Sequence, residues 1–398
     1  MRREAGIQMS GSEVLIYGYG AVCLSMIVFN IIYNIVLRAK EPQTTKRAER
    51  VKEALLKKYA AGRGADADTE DGEELDVRAF LKEERLDLGK PEALLTLSEA
   101  LSAISGKEQQ EAGERFIMGL QPLLPALAEG YLKKDYMQTA YFAVFLSHYR
   151  RGSDYDAALL ESLLKYAAQE NMYCRVNALD ALYAMGNAEY VSKAVAVQDK
   201  MEVFLHERVL TEGLLSFSGD HGELIERLVE QFGELSGKTR LAILNYIRFK
   251  SGAYKELMYR IMTDESEDRE LRLSAVRYFG RYPYEKARSV LIRLATDKEA
   301  LHWEYAAVAA GALKDYDGED VISALKSALY SSNWYVRYNA AVSLEARGLS
   351  YTRLIDVMSG EDRYAREMME YRFQERRLME GPGPQEESRV RGERGRGA

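Results

Sequence analysis

The apolar positions of this chain recur at a fixed interval. In Asn333–Leu344, NWYVRYNAAVSL, Arg337 is followed on one helical face by Ala340, Ala341 and Leu344. Apolar residues three and four places apart predict an amphipathic helix with one buried stripe. The same helix recurs upstream. Positions equivalent to Arg337 are Glu304, Arg272, Arg240, Arg208 and Arg175, in steps of 33, 32, 32, 32 and 33 residues. Three places after each anchor stand Ala340, Ala307, Ala275, Ile243, Thr211 and Ala178; seven places after stand Leu344, Gly311, Phe279, Ile247, Leu215 and Leu182. A turn then follows: Gly186–Asn187, Ser218–Asp220, Ser251–Gly252, Tyr282–Pro283, Asp315–Gly318 and Gly348–Ser350. A second apolar helix comes after each turn, as in Leu224, Ile225, Leu228 and Val229, or Val321, Ile322, Leu325 and Leu329. No single pair of such helices can bury both its faces, so neighbouring pairs must stack.

The leading residues break this pattern. Residues 1–13 are short and polar, and Val14–Leu37 is a run of 24 residues without a charge. A helix needs about 20 residues to cross a hydrocarbon core, so residues 14–37 are expected to form a single transmembrane helix. The run exceeds the ~7–15 apolar residues of a secretory signal, and no small-x-small cleavage pattern follows it. Lys and Arg crowd the trailing side (Arg38, Lys40, Lys46, Arg47, Arg50), whereas Arg2 and Arg3 precede the run. That excess marks the cytoplasmic side, so the N-terminus is expected outside and the rest of the chain in the cytoplasm of a cell-membrane protein. Asn30 and Asn34, one turn apart, are candidate contacts to another membrane helix, or amides wetted near the headgroups.

Residues 38–61 read as a basic juxtamembrane helix with Val51, Leu55 and Tyr59 on one face, suited to anionic lipid. Residues 62–76, GRGADADTEDGEELD, read as a flexible acidic linker. Asp66, Asp68 and Glu70 alternate as in a calcium loop, but Asp71 and Val77 stand where the turn glycine and the bidentate glutamate belong. Residues 77–150 are expected to form an N-terminal helical cap or degenerate repeats, with Pro122 and Pro125 breaking one helix. The repeat array follows over 151–377, and residues 378–398 form a tail expected to be disordered.

The windows NMYCRVNALDAL, ELRLSAVRYF and NWYVRYNAAVSL resemble HEAT repeats of the short bacterial kind also found in phycobilin lyase-like proteins. The resemblance covers roughly residues 135–375. It implies an all-α fold: an α-solenoid of HEAT-like helix pairs with period 32–33, first helices outside and second helices lining a concave side. It also implies scaffold roles for Arg175, Arg208, Arg240, Arg272 and Arg337, reaching an acid in the neighbouring unit or capping a loop. Glu304, preceded by His302 and Trp303, departs from the pattern, as drift or as the mark of an interaction site. The offsets of tetratricopeptide and ankyrin repeats do not recur.

Composition narrows the function. The net charge of −7 argues against sequence-independent nucleic-acid binding, which needs a basic surface. Cys23 and Cys174 read as buried free thiols suited to a reducing compartment. His148, His206, His221 and His302 fall in different repeats without ligand spacing, so no metal site and no cofactor are expected. No catalytic constellation stands out, and the expectation is a protein that is not an enzyme. Tyrosine does stand out, with 27 Tyr against 11 Phe, several of them on or beside second helices. Tyr and Arg are enriched at interface hot spots. Tyr259, Arg260, Lys286, Arg293 and Lys326 are therefore the candidate partner-binding residues. The expected function is a membrane-anchored cytoplasmic scaffold or adaptor binding a protein or peptide. A small-molecule-binding or lyase-like solenoid and a nucleic-acid-binding solenoid are the alternatives.

Overall fold

The computed structural model describes residues 44–59, 76–149, 156–349 and 351–380, and every regular element among them is helical. Residues 1–43, with the uncharged run and its Asn30 and Asn34, lie outside the described residues, as do 60–75 and 381–398. Among the described residues no helix is long and apolar enough to cross a membrane. The chain divides into two compact units at Met185/Gly186.

The first unit begins with a helix over 44–59 (α1). Its face Ala48, Val51, Leu55 and Tyr59 is buried. Tyr59 meets Phe80 of α2 (Val77–Glu83) and Phe116 of α4 (Lys107–Leu120) edge-on, and the three ring centroids lie 5.4–5.9 Å apart. Arg115 donates to the Tyr59 carbonyl at 3.3 Å and Lys58 pairs with Glu83 at 3.0 Å. The face that suits lipid in the sequence is thus occupied by protein. The aromatic partners lie 21 and 57 residues downstream, beyond the reach of a local periodicity. Lys46, Arg50 and Lys57 stay exposed around it.

Pro91 opens α3 (Pro91–Ser102). Pro122 and Pro125 convert the end of α4 into a tight turn, Gln121–Leu123, before α5 (Leu124–Leu132). Next come α6 (Tyr136–Tyr149), α7 (Ala157–Ala167) and α8 (Met172–Met185). Buried tyrosines tie this unit together. Tyr131 stacks on Phe142 at 4.6 Å and donates to the Leu88 carbonyl at 2.9 Å; Tyr166 donates to the Ala128 carbonyl at 2.5 Å. Arg175 and Cys174 of α8 are fully buried.

The second unit alternates second helices α9 (Ala188–Asp199), α11 (His221–Glu230), α13 (Lys255–Thr263), α15 (Glu285–Ala295), α17 (Glu319–Ala328) and α19 (Ile355–Met358) with first helices. The first helices are α10 (Glu207–Leu215), α12 (Gly237–Lys250), α14 (Arg269–Phe279), α16 (Trp303–Ala312), α18 (Trp334–Ala346) and α20 (Arg363–Glu380). Side chains of Asn187, Asp220, Asp268 and Asn333 accept backbone N–H bonds at helix starts, which fixes where each helix begins. The first helices pack serially, α10 on α12 and onward to α20. Hydroxyls bridge them: Thr211 donates to the Ala242 carbonyl at 3.2 Å, and Ser343 to the Ala310 carbonyl at 2.7 Å.

The anchors differ in what they hold, and Arg208 does not reach a neighbouring repeat. Arg240 pairs with Glu267 at the foot of the next repeat and lies over the Phe232 ring at 4.7 Å. Arg337 donates to the Ser331 and Ser332 carbonyls at 2.6 and 3.1 Å, capping the loop before its own helix. Arg208 pairs at 2.8 Å with Glu212 of its own helix. Glu304 inverts the charge and keeps the bridge, accepting Arg269 of the preceding repeat at 2.7 Å.

Two further contacts recur. The Tyr278 hydroxyl accepts the Tyr254 N–H at 3.2 Å where α13 begins, and the Tyr316 hydroxyl accepts the Tyr284 N–H at 3.0 Å where α15 begins. In both cases a buried phenol takes one of the unpaired donors of a helix start. The turns also touch: Gly186 sits at φ +70°, and a Cβ on Gly219 would clash with the Gly186 carbonyl oxygen.

Two outcomes follow from this packing. Gly219→Ala should destabilise the second unit by about 1–3 kcal/mol through overpacking. Thermal unfolding should show it as a lowered midpoint, with Gly233→Ala, where a Cβ meets nothing, as the silent control. Burial pushes the Tyr278 and Tyr316 phenols up to about 12. They stay protonated in the fold when the unfolded chain ionises near ~10, so stability should fall as pH rises from about 10 toward 12. Urea midpoints measured across that range test the sign.

Candidate functional site

The five residues expected to bind a partner sit on second helices α13, α15 and α17. Tyr259 packs edge-on against Tyr284 at 6.3 Å. Lys286 pairs with Glu256 at 2.6 Å, and Tyr284 donates its hydroxyl to the same carboxylate. The Lys286 and Tyr284 bonds hold the Glu256 carboxyl below its usual range, and the carboxylate raises the Lys286 ammonium. Lys326 is engaged with Asp356 and with the Arg353 carbonyl, each at 2.8 Å. Arg260 and Arg293 are exposed. Three of the five are therefore joined to neighbouring repeats at the surface, where such pairs contribute little to stability. The structure brings Tyr259 and Lys286 together through Tyr284 and leaves Lys326 with the next repeat.

A different cluster stands out at the N-terminal ends of the first helices. Trp303 of α16 stacks on Tyr335 of α18 with centroids 5.5 Å apart. Trp334 stacks on Tyr338 at 4.9 Å and meets Tyr335 edge-on at 5.2 Å. Arg337 lies over the Tyr364 ring at 5.2 Å, and Arg372 over Tyr338 at 5.7 Å. These rings are not core: Trp334 is 50% exposed, Tyr335 56% and Tyr364 64%, and beside Trp303 the Leu301 side chain is 87% exposed. A contiguous apolar surface with stacked aromatics and flanking arginines has the composition of an interaction hot spot. The chain's two tryptophans both lie here. Sequence periodicity passed over Trp334 and Tyr335 because they precede the buried stripe of their helix. Their signal was the placing of large aromatics off the stripe, in the first turn, in two successive repeats.

Two clefts lie elsewhere among the described residues. In the first unit a cleft of about 520 Å3 is lined by Leu101, Ile104, Ile117, Met118 and His148 among others. In the second unit a cleft of about 590 Å3 opens at the opposite ends of the first helices, between Arg248, Phe249, Arg277, Arg281 and Gly311. His221 is held by Tyr246 at 2.6 Å and Lys250 at 2.9 Å, and burial with the nearby ammonium keeps its imidazole below the usual value. Among the described residues no group of His, Cys, Asp and Glu is disposed to hold a metal ion.

Residues 254–345 match the family model of HEAT repeats. The chain carries HEAT-like repeats. The matched segment runs from α13 to α18 and contains the five expected contacts and both tryptophans. No curated protein matches this sequence. A solved structure of human deoxyhypusine hydroxylase in complex with glycerol aligns at 17% identity over 84% of this chain and 97% of that chain, with a TM-score of 0.25. At that score the likeness carries no argument about this chain.

Because both tryptophans sit in the HEAT-repeat edge, indole fluorescence reports on that edge alone. Emission should be quenched readily by acrylamide in the native protein, and Trp334→Phe should remove most of the quenchable part without lowering the unfolding midpoint. A blue-shifted emission protected from acrylamide would contradict the exposed edge. Burial pushes the Cys174 thiol up to about 11, so it should resist a thiol reagent until the chain unfolds.

Proposed function

We propose that the chain is a scaffold or adaptor that presents its HEAT-like repeats to a protein partner at a membrane surface. The observation that carries this reading is the exposed aromatic edge formed by Trp303, Trp334, Tyr335 and Tyr338. Stacked repeats hold these rings in fixed register, so little side-chain entropy is lost when a partner covers them. Arg260 and Arg293 on the second helices are proposed as accessory contacts, and Tyr259, Lys286 and Lys326 as the framework between them.

The membrane part of the proposal rests on sequence. The uncharged residues 14–37 suffice for one crossing, and the basic residues after them favour a cytoplasmic position for the repeats. Such a tether raises the local concentration of the repeats near membrane proteins, which makes a weak contact effective. Asn30 and Asn34 are proposed as contacts within that span.

Full-length protein captured from crosslinked membranes should enrich one membrane protein, and a Trp334→Ala/Tyr335→Ala variant should lose that enrichment by about tenfold or more, the scale of a hot-spot deletion. Equal enrichment with both chains would remove recognition from the aromatic edge. Extraction of the full chain by alkaline carbonate without detergent would sink the membrane anchor.

A further inference from the structure

The C-terminal ends of the first helices carry a feature that partner binding at the aromatic edge does not use. Arg248 of α12, Arg277 of α14 and Arg281 just beyond it line one open cleft of about 590 Å3. Among the described residues no hydrogen bond or ion pair joins any of these three guanidinium groups to an acceptor, and the Arg248 Nε is buried without one. The acid at the rim, Asp315, faces Lys314 at 3.8 Å. Burial and the charges of Arg277 and Arg281 push the Arg248 guanidinium below its ordinary value. Three like charges therefore line one cleft, with Arg248 and Arg277 partly buried and Arg281 exposed, an arrangement that costs stability unless an anion answers it.

Helix C-termini favour basic residues, which accounts for one arginine in the last turn of each helix. It does not account for arginines of two repeats turned on one another across a cleft. The cleft also has room. The seventh place after the anchor, a large apolar residue in most repeats, is Gly311 here, and a Cβ added there would meet only Asn339, at 3.9 Å. Phe249 forms a partly exposed wall beneath two of the cations, its ring 4.8 Å from Arg248 and 5.8 Å from Arg281. Arginine is the side chain that grips phosphate oxygens through paired N–H bonds.

We propose that this cleft is a binding site for a phosphate ester, its phosphate held by Arg248, Arg277 and Arg281 and its organic part lying against Phe249. The ester is either a soluble phosphorylated metabolite or the phosphorylated headgroup of a lipid. The site is independent of the aromatic edge.

The test uses the full chain, purified in detergent, with pyrophosphate as probe, and reads the unfolding midpoint and calorimetric binding. The wild type should bind with Kd below about 1 mM at low salt, more weakly as salt rises, and its midpoint should climb with pyrophosphate. Arg277→Gln/Arg281→Gln should bind about tenfold or more weakly. In phosphate-free buffer that variant should melt no lower than wild type, because repulsion has been relieved. Retained binding by the variant, or no binding by wild type up to about 10 mM, would overturn the proposal. So would a variant that melts well below wild type in both buffers, which would make the arginines structural caps. Adenosine diphosphate in solution against phosphatidylcholine vesicles containing phosphatidylinositol phosphate then separates the sources. Tighter binding to the nucleotide assigns a soluble ester, and tighter binding to the vesicles a lipid headgroup.

Discussion

The close approach of α14, α16 and α18 sets the terms for the rest of the second unit. Helix α16 presents Ala306, Ala307, Ala309, Ala310 and Ala312, all buried. Small side chains on both sides let the neighbouring backbones come near: a Cβ on Gly280 would lie 3.1 Å from the Ala312 Cα, and the Ser343 hydroxyl reaches the Ala310 carbonyl at 2.7 Å. At this spacing a change of one methylene is felt by the adjoining helix. The stacking is therefore rigid, and whatever projects from the two ends of the first helices is held in register.

Those ends differ in chemistry. The N-terminal ends carry stacked, half-exposed rings, and the C-terminal ends carry arginines without answering charge. Neither serves stability well, since exposed tryptophan forgoes burial and converging cations repel. Such departures from good local packing are expected where a protein meets something else.

The architecture was legible because each repeat writes the same stripe. The third-place residues Ala178, Thr211, Ile243, Ala275, Ala307 and Ala340 are all buried, and the turns fall where glycine, proline and capping residues marked them. Leu215 and Gly311 are the seventh-place residues that are not buried, and Gly311 opens the arginine cleft. The apolar stripe of helix α1 is legible in its spacing, but its partners Phe80 and Phe116 are not, because no local pattern announces that pairing. The tyrosines carried mixed information. Tyr278 and Tyr316 cap helix starts from inside, whereas Tyr335 and Tyr364 lie open, and composition alone cannot sort them. The convergence of Arg248, Arg277 and Arg281 was invisible for a simple reason: they occupy different offsets from their anchors, so no periodic search aligns them.

Amide hydrogen exchange across α12, α14, α16 and α18 tests the rigid stacking most directly. If the alanine-mediated contacts bind these helices into one frame, their central amides should exchange slowly and at a common rate, through one cooperative opening. Exchange in α16 that is many-fold faster than in α14 and α18 would show that each helix opens by itself. The fixed register on which both the aromatic edge and the arginine cleft depend would then not exist.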